Sequence, residues 1–230
     1  MVKSVDRLKQ ISAFQSLSPL TFEGLSRTAT TTEYPPNTIV FQQQDVLTGL
    51  YVIVSGYVKL YRKSKDRVQI LAILRDEDFF GTECLTDNRM SSSFAATMTT
   101  TTIIHIPYDA MQSLLEINPV FRSAVLQMVT NRLRQFAQLV HNLAFRDVTA
   151  RVAMLLVSRA EFDGIMTLDG VRIPRLMTQN ELATVIGTSR EVVQRTFKKL
   201  SKMSLIEVSR KEILILNLDE LRIIAEEENR

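Results

Sequence analysis

Residues Met177–Leu200, "MTQNELATVIGTSREVVQRTFKKL", set two short helix patterns on either side of a glycine. Thr178 and Glu181 have the T-x-x-E spacing of a capping box, in which the threonine accepts from the backbone and the glutamate returns the bond. Leu182, Val185 and Ile186 give the first helix an apolar stripe, and Gly187 suits the left-handed position that ends a helix. Thr188 and Glu191 repeat the box, predicting a second helix almost at once. Two short helices around so tight a turn make a helix-turn-helix. On the second, Val193, Phe197 and Leu200 form one stripe; Arg190, Gln194 and Lys198, with Glu191 and Arg195 beside them, take the other face. Where this motif binds DNA, the first turns of its second helix meet base edges in the major groove. Arginine pairs bidentately with guanine there, and glutamate accepts from the cytosine amino group. The competing reading is a solvated charged face on an ordinary helix pair.

The charge distribution favours the first reading. The 230-residue chain carries a net charge of only +3. Residues 172–211, however, hold nine Lys/Arg against three Glu, a local +6 that leaves −3 for everything else. A concentrated basic field is the footprint of a module that binds a polyanion. A hydrophobic share of 45% and a charged share of 23% are ordinary for a soluble globular chain. With Cys84 as the single cysteine, no internal disulfide can form, and a reducing cytoplasm is the expected compartment. No apolar run suggests a membrane span, and "MVKSVDRLKQISAF" lacks the apolar core of a secretory signal.

Upstream the texture changes twice. Residues 1 to about 30 read as short helices, with Ser18 as a cap and Pro19 at a first helical position. From about Tyr34 to Pro107, β-branched and aromatic runs separated by turn residues predict an antiparallel sandwich or barrel. Within it "YVIV-SG-YVKLY" has the form of a tight hairpin with Gly56 at positive φ, and the Thr cluster 98–102 that of a pleated strand surface. From Tyr108 to Phe145 the period becomes helical, with Pro119 opening one long helix. Leu126, Val129, Leu133, Phe136, Val140 and Leu143 follow spacings of 3, 4, 3, 4, 3, with Arg132, Arg134, Gln135 and Gln138 off the stripe. That is an a/d seam suited to self-association; a helix lying on its own sheet is the alternative. A further helix from Asp147 to about Phe162 and a loop through "DGIMTLDGVRIP" precede the opening stretch. "IEVSRKEILILNL" follows it as two strands with a turn.

The combination resembles the CRP/FNR (cyclic AMP receptor protein / fumarate-nitrate regulator) family of bacterial transcription factors. "TSREVVQRTFKKL" followed by "LIEVSRKEILIL" is similar to its winged helix, and the family's S-R-E-x-x-x-R signature appears as Ser189, Arg190, Glu191 and Arg195. "INPVFRSAVLQMVTNRLRQ" and "VHNLAFRDVTARVA" resemble its dimer helix and hinge; "GLYVIVSGYVKLYR" and "FFGTECL" resemble its effector-binding β-roll. The implied fold is α+β: a jelly-roll-like antiparallel β-roll over 1–118, a dimerisation helix and hinge over 119–146, and a winged helix-turn-helix over 147–230. The implied function is a homodimeric regulator, activating rather than enzymatic, on double-stranded DNA carrying an inverted-repeat, TGTGA-like operator, with bending of the duplex. By the resemblance Arg190, Glu191 and Arg195 read bases. Thr178, Gln179, Ser189, Ser209 and Lys211 fall on the DNA backbone, where they set register and salt dependence. The family's wing usually carries a glycine where this chain has "SRKE". Thr167–Val171 lies where relatives contact RNA polymerase.

The same resemblance implies a nucleotide pocket with altered chemistry. At the family's G-E-L turn, Gly81 is present, Thr82 takes the glutamate's place and Glu83 stands one step on. The arginine–serine pair that clamps the cyclic phosphate falls on Ser92 and Ser93, with Arg89 three residues early, and the adenine-facing hydroxyls fall on Phe136 and Ala137. A phosphate buried without a cationic partner is unfavourable, so independence from cyclic AMP is expected, with no cofactor. A single cysteine excludes iron–sulfur sensing. Cys84, His105 and His141 are candidate haem ligands in principle, but Cys84 reads better as a small core residue, His105 suits a packing or hydrogen-bond role and His141 lies on the long helix beside the seam, so no metal is expected. Two alternatives stay open: a regulator gated by an unidentified small effector in the β-roll, and a cyclic-nucleotide-binding regulatory subunit that does not bind DNA.

Overall fold

The computed structural model describes residues 4–65, 67–86 and 88–227; the first three residues of the N-terminal stretch lie outside that range. The chain divides into two compact units, Met1–Gln135 and Phe136–Arg230.

In the first unit a 3-10 segment (Ser4–Gln10) leads into α1 (Ser12–Gln15) and α2 (Pro19–Thr28). Ser18 caps α2 as expected: its hydroxyl accepts from the Thr21 amide at 3.1 Å, with Pro19 at the first helical position, where it forfeits no helical bond. Eight strands follow: β1 (Thr30–Tyr34), β2 (Ile39–Phe41), β3 (Gly49–Ser55), β4 (Val58–Ser64), β5 (Arg67–Leu74), β6 (Phe79–Phe80), β7 (Phe94–Thr97) and β8 (Thr101–Pro107). They form two antiparallel sheets, ordered β1-β8-β3-β6 and β2-β7-β4-β5. The core takes Leu50, Val52, Ile104 and Ile106 from the first sheet and Val58, Leu74 and Ala95 from the second, all fully buried.

Two local expectations fail here. β3 and β4 do not pair: β3 lies between β8 and β6, and β4 between β7 and β5. The Ser55–Tyr57 link therefore carries the chain from one sheet to the other. Gly56 does adopt φ 99°, and a Cβ there would stand 2.6 Å from the Thr100 carbonyl oxygen. The glycine is needed for this crossing, not for a hairpin turn. The Thr cluster is likewise not a continuous strand. Met98–Thr100 forms a bend between β7 and β8, which belong to different sheets. Its hydroxyls bond backbone instead: Thr99 Oγ1 accepts from the Tyr57 amide (3.1 Å) and Thr101 Oγ1 donates to the Thr99 carbonyl (2.9 Å).

α3 (Tyr108–Ile117) stops at Asn118, whose side chain accepts from the Phe121 amide (2.9 Å), and α4 (Pro119–Phe145) begins. Phe121 and Val125 of α4 are buried in the β-roll core, the Phe121 ring centroid lying 5.3 Å from that of Phe14. The seam residues lie off that face. Leu126, Leu133 and Val140 are two-thirds exposed, Val129 and Leu143 exposed to a lesser degree, and Phe136 half-buried. The start of α4 thus does pack on its own unit, but through Phe121 and Val125 rather than through the a/d stripe.

The second unit continues from α4 with α5 (Val148–Asp163), capped by Asp147, whose carboxylate accepts from the Ala150 amide at 2.7 Å. The segment expected to be a loop is a β-hairpin, β9 (Ile165–Thr167) and β10 (Gly170–Pro174), closed by Leu168-Asp169. Then come α6 (Gln179–Ile186), α7 (Arg190–Lys202), β11 (Ile206–Val208), β12 (Glu212–Ile215) and α8 (Leu218–Glu226), with the four strands in the order β11-β12-β10-β9. The two strands expected in "IEVSRKEILILNL" are β11 and β12, paired from Ile206–Ile215 to Val208–Ile213. Val152, Ala153, Leu156, Ile173, Ile213, Ile215 and Leu221 form the buried interior.

Candidate nucleic-acid interface and effector pocket

α6 and α7 are two short helices held by caps and by one buried stripe. The box at the start of α6 is complete: Thr178 Oγ1 accepts from the Glu181 amide (3.2 Å), and Glu181 Oε2 accepts from the Thr178 amide (3.0 Å). Gly187 ends α6 at φ 74°. The second helix is capped one residue later than its sequence spacing predicts. Ser189, not Thr188, is the N-cap, with its hydroxyl 3.4 Å from the Val192 amide. Val193, Phe197 and Leu200 are buried as expected, joined by Thr196, which satisfies its hydroxyl on the Val192 carbonyl at 3.0 Å. Burying such apolar side chains contributes about 1.5–3 kcal/mol each, so this stripe fixes the rotation of α7.

That rotation turns Arg190, Glu191, Arg195, Lys198 and Lys199 to the surface. Gln179 on α6 ties the two helices together on this face. Its Oε1 accepts from Gln194 Nε2 at 2.6 Å and from Arg190 Nε at 3.3 Å, leaving the two terminal nitrogens of Arg190 without a partner among the described residues. Spacing places Gln194 on this face; its bond to Gln179 makes it a positioning group. The backbone amide of Glu191, the Ser189 hydroxyl and the nearby Arg190 and Arg195 guanidiniums hold the Glu191 carboxyl below the usual carboxylate range. It is ionised at neutral pH and can only accept.

The wing is built by β11, β12 and the turn between them. Ser209 Oγ donates to the Glu212 carbonyl (3.0 Å) and accepts from the Glu212 amide (3.1 Å), so its hydroxyl staples the turn. This supplies a closed wing without a glycine. Arg175, which no sequence spacing marked, donates to the Ser209 carbonyl (3.0 Å), and its amide donates to the Lys211 carbonyl (2.9 Å). Lys211 is exposed. In sum, donors from α6, α7 and the wing decorate one unit, and a glutamate stands among the arginines of α7.

In the β-roll, Gly81 is buried at φ 77° and opens the 3-10 turn Thr82–Leu85; a Cβ there would lie 2.8 Å from the Tyr51 ring. The turn aims Glu83 at Ser92. Glu83 Oε1 accepts from the Ser92 hydroxyl at 2.7 Å and from the Ser92 amide at 3.2 Å. Ser93 is buried, its amide donating to Ser91 Oγ at 3.3 Å. Arg89 does not fill the missing arginine's place, because its guanidinium lies over the Tyr108 ring, 4.4 Å from the centroid. Gly81, Glu83, Ser92 and Ser93 are thus brought together, while Phe136 and Ala137 stand on α4, half-buried and exposed. Burial and the Glu83 carboxylate push the Cys84 thiol up to about 12, making it an inert core residue. His105 is held in its neutral form by burial, 3.1 Å from Thr48 Oγ1. Among the described residues no group of three His, Cys, Asp or Glu side chains is placed to hold a metal ion.

A β-roll, a long helix with an apolar seam and a winged helix-turn-helix together define a DNA-binding transcription regulator, a class without catalytic chemistry. Comparison with known proteins agrees. A cyclic nucleotide-binding domain family matches residues 31–118, and a Crp-like helix-turn-helix domain family matches residues 150–224. The chain is 31% identical over 186 residues to the cAMP-activated global transcriptional regulator CRP of Salmonella typhimurium, covering 80% of this chain and 88% of that protein. It is 28% identical over 215 residues to the CRP-like cAMP-activated global transcriptional regulator of Mycobacterium tuberculosis, covering 93% and 96%. Among solved structures, a mutant of CooA from Carboxydothermus hydrogenoformans superposes with a TM-score of 0.79 at 22% identity over 94% of this chain and 95% of that one. The c-di-GMP-responsive regulator CLP of Xanthomonas campestris follows with 0.76 at 24% identity over 87% and 100%; at such identities the likeness speaks for the fold. The chain belongs to the CRP/FNR family of transcription regulators.

Proposed function

We propose that this protein is a homodimeric, sequence-specific activator that binds an inverted-repeat, TGTGA-like operator without needing cyclic AMP. The observation that carries the reading is the exposed set Arg190, Glu191 and Arg195 at the start of a helix whose opposite face is locked into the core. A carboxylate facing phosphates is unfavourable unless it meets a base donor or orients an arginine. Thr178, Gln179, Ser189, Ser209 and Lys211 are assigned to the DNA backbone. Dimerisation is supported by the α4 seam, five of whose six apolar side chains are exposed in the single chain. An unburied stripe of that size and spacing calls for a partner helix.

The Glu83–Ser92 pair supports independence from cyclic AMP. A cyclic phosphate at Ser92 would have to displace a carboxylate already bonded to its amide and hydroxyl. The two anions would repel each other, and Arg89, the arginine nearest in sequence, is engaged over the Tyr108 ring. In this reading residues 1–118 are a β-roll that has lost its nucleotide chemistry, 119–146 the dimer helix and hinge, and 147–230 the reader. The β9–β10 turn, with Leu168 fully exposed, is the proposed contact for RNA polymerase, and the cytoplasm the proposed compartment. Among the described residues no helix is long and apolar enough to cross a membrane.

The test is selection of bound sites from random duplex DNA by purified protein whose ligand-free state is verified by native mass spectrometry, with and without added cyclic AMP. An inverted repeat recovered equally well in both arms is the expected result. Recovery only with nucleotide would overturn the effector-free reading, and equal retention of all sequences would overturn the function.

A further inference from the structure

Within the second unit, the end of α4, the first half of α5 and the last turn of α6 enclose a cleft of about 190 Å³. Its walls are largely apolar: Leu139 and Leu143 come from α4, Met154 and Leu155 from α5, Val185 and Ile186 from α6. One cation stands among them, Arg151, on the first turn of α5.

The fold leaves Arg151 poorly partnered. Its Nε is shut off from solvent without a hydrogen bond, and its Nη1 donates to the Leu143 carbonyl over a long 3.4 Å. It makes no ion pair among the described residues, whereas Arg159 and Arg222 of the same unit lie 3.1 Å from Asp163 and 3.3 Å from Glu161. Burial pushes the Arg151 guanidinium below its ordinary range, and the charge of Asp147 offsets this only in part. The Asp147 carboxylate is already engaged as the α5 cap, accepting from the Ala150 amide at 2.7 Å. A guanidinium keeps its proton at any working pH, so a partly desolvated charge lacks an anion. Asn142 adds a second donor to the cleft. Its side-chain oxygen accepts from Gln138 Nε2 at 2.9 Å, which leaves the NH2 group to donate.

These features select an occupant. An apolar cavity of about 150 Å³ holds benzene, so this cleft has room for one ring or short branched chain bearing one small polar group. To use a guanidinium fork and an amide donor together, that group must be a planar anion, which is what a carboxylate is. A phosphate would bring more charge than one guanidinium balances. The rival occupant is α4 of a second copy, because Leu143 also belongs to the seam. That helix has no anion to offer, since residues 119–145 contain neither Asp nor Glu. Leu139 and Asn142 also lie one residue, about 100° of rotation, away from Val140 and Leu143.

We propose that the α4–α5–α6 cleft binds a small apolar monocarboxylate of about the size of benzoate or isovalerate, its carboxylate on Arg151 and Asn142 and its hydrocarbon against Leu139, Leu155 and Ile186. The site is separate from the β-roll and does not depend on the operator assignment. Ile186 is the last residue of α6, so the occupant would touch the first helix of the helix-turn-helix.

The experiment is methyl-resolved NMR of the full-length protein, titrated with benzoate or isovalerate at millimolar concentration. Saturable shifts centred on the methyl groups of Leu139, Leu143, Met154, Leu155 and Ile186, with one ligand per chain, are the expected result. Benzyl alcohol keeps the ring without the charge and should bind roughly ten- to a hundred-fold more weakly, the contribution of a hydrogen bond to a charged group. R151Q should weaken benzoate by the same factor and leave benzyl alcohol unchanged, a split that general loss of structure would not produce. M154F narrows the cleft with Arg151 in place and should abolish binding of both, which keeps the proposal testable if R151Q does not fold. Absence of saturable shifts with both acids, or shifts centred on the β-roll, would overturn the site. Equal affinity for benzoate and benzyl alcohol, or benzoate binding indifferent to R151Q, would overturn the carboxylate assignment.

Discussion

Arg195 and Phe197 stand two residues apart on α7 and point to opposite sides, so truncating each to alanine separates reading from folding. Arg195 is exposed and makes no hydrogen bond or ion pair among the described residues. Its removal should change stability by no more than about 0.5 kcal/mol, the range of surface substitutions. If it makes a bidentate guanine contact, each copy carries about 1–3 kcal/mol of discrimination, and a dimer on two half-sites carries twice that. At about 1.4 kcal/mol per tenfold, Arg195→Ala should weaken operator binding by roughly thirty-fold to twenty-thousand-fold. Phe197 is 7% exposed and fills the stripe beneath α7. Phe197→Ala should cost about 3–5 kcal/mol of fold stability, a large share of the 5–15 kcal/mol a domain usually has. Fluorescence anisotropy at fixed salt, on an operator and on duplexes with one base pair changed, gives the affinities; chemical denaturation gives the stabilities. The signature expected of Arg195→Ala is indifference to one base pair only, with an unshifted denaturation midpoint. A uniform loss on all duplexes would make Arg195 a phosphate contact. No loss at all would refute the base-reading assignment.

Other outcomes follow from the same geometry. Leu133, 67% exposed in the single chain, lies mid-seam; Leu133→Glu should yield a folded monomer by analytical ultracentrifugation with operator affinity largely lost, and a dimer that persists would refute the seam. A ligand at a hundred times its Kd stabilises by about 2.7 kcal/mol, so millimolar cyclic AMP should leave the melting temperature unmoved here if the Glu83–Ser92 pair closes the site. A saturable upward shift would refute that. Cys84, buried with its thiol pushed up to about 12, should react with an aromatic disulfide reagent at pH 8 only after denaturant is added; rapid reaction of the native protein would contradict its placement.

What sequence made legible is what local chemistry determines. The capping box of α6, the glycine that ends it and the three-residue stripe of α7 are consequences of neighbours within a turn or two, and all are found in place. The β9–β10 hairpin is only partly legible: its turn is Leu168-Asp169 with Gly170 already in the ladder, and flanking strands of three and five residues are too short to show alternation. The sheet change at Ser55–Tyr57 was not legible. A two-residue link with a positive-φ glycine serves a hairpin or a crossing equally, and only the pairing of β3 with β8, some fifty residues on, decides between them. The Glu83–Ser92 bond has the same origin. Sequence placed the glutamate one step from the expected turn position, but its partner nine residues away is set by the fold.

The helix α4 fixes more than its own position. Phe121 and Val125 are seated in the β-roll, while Leu126, Val129 and Leu133 begin the exposed stripe. At 100° per residue the two faces are offset by about a quarter turn. Because one helix carries both, in the proposed dimer the direction from which a twin subunit approaches is decided by which way Phe121 is anchored. Slipping one extra alanine between Val125 and Leu126 would swing that direction by about 100° and aim the two protomers past each other.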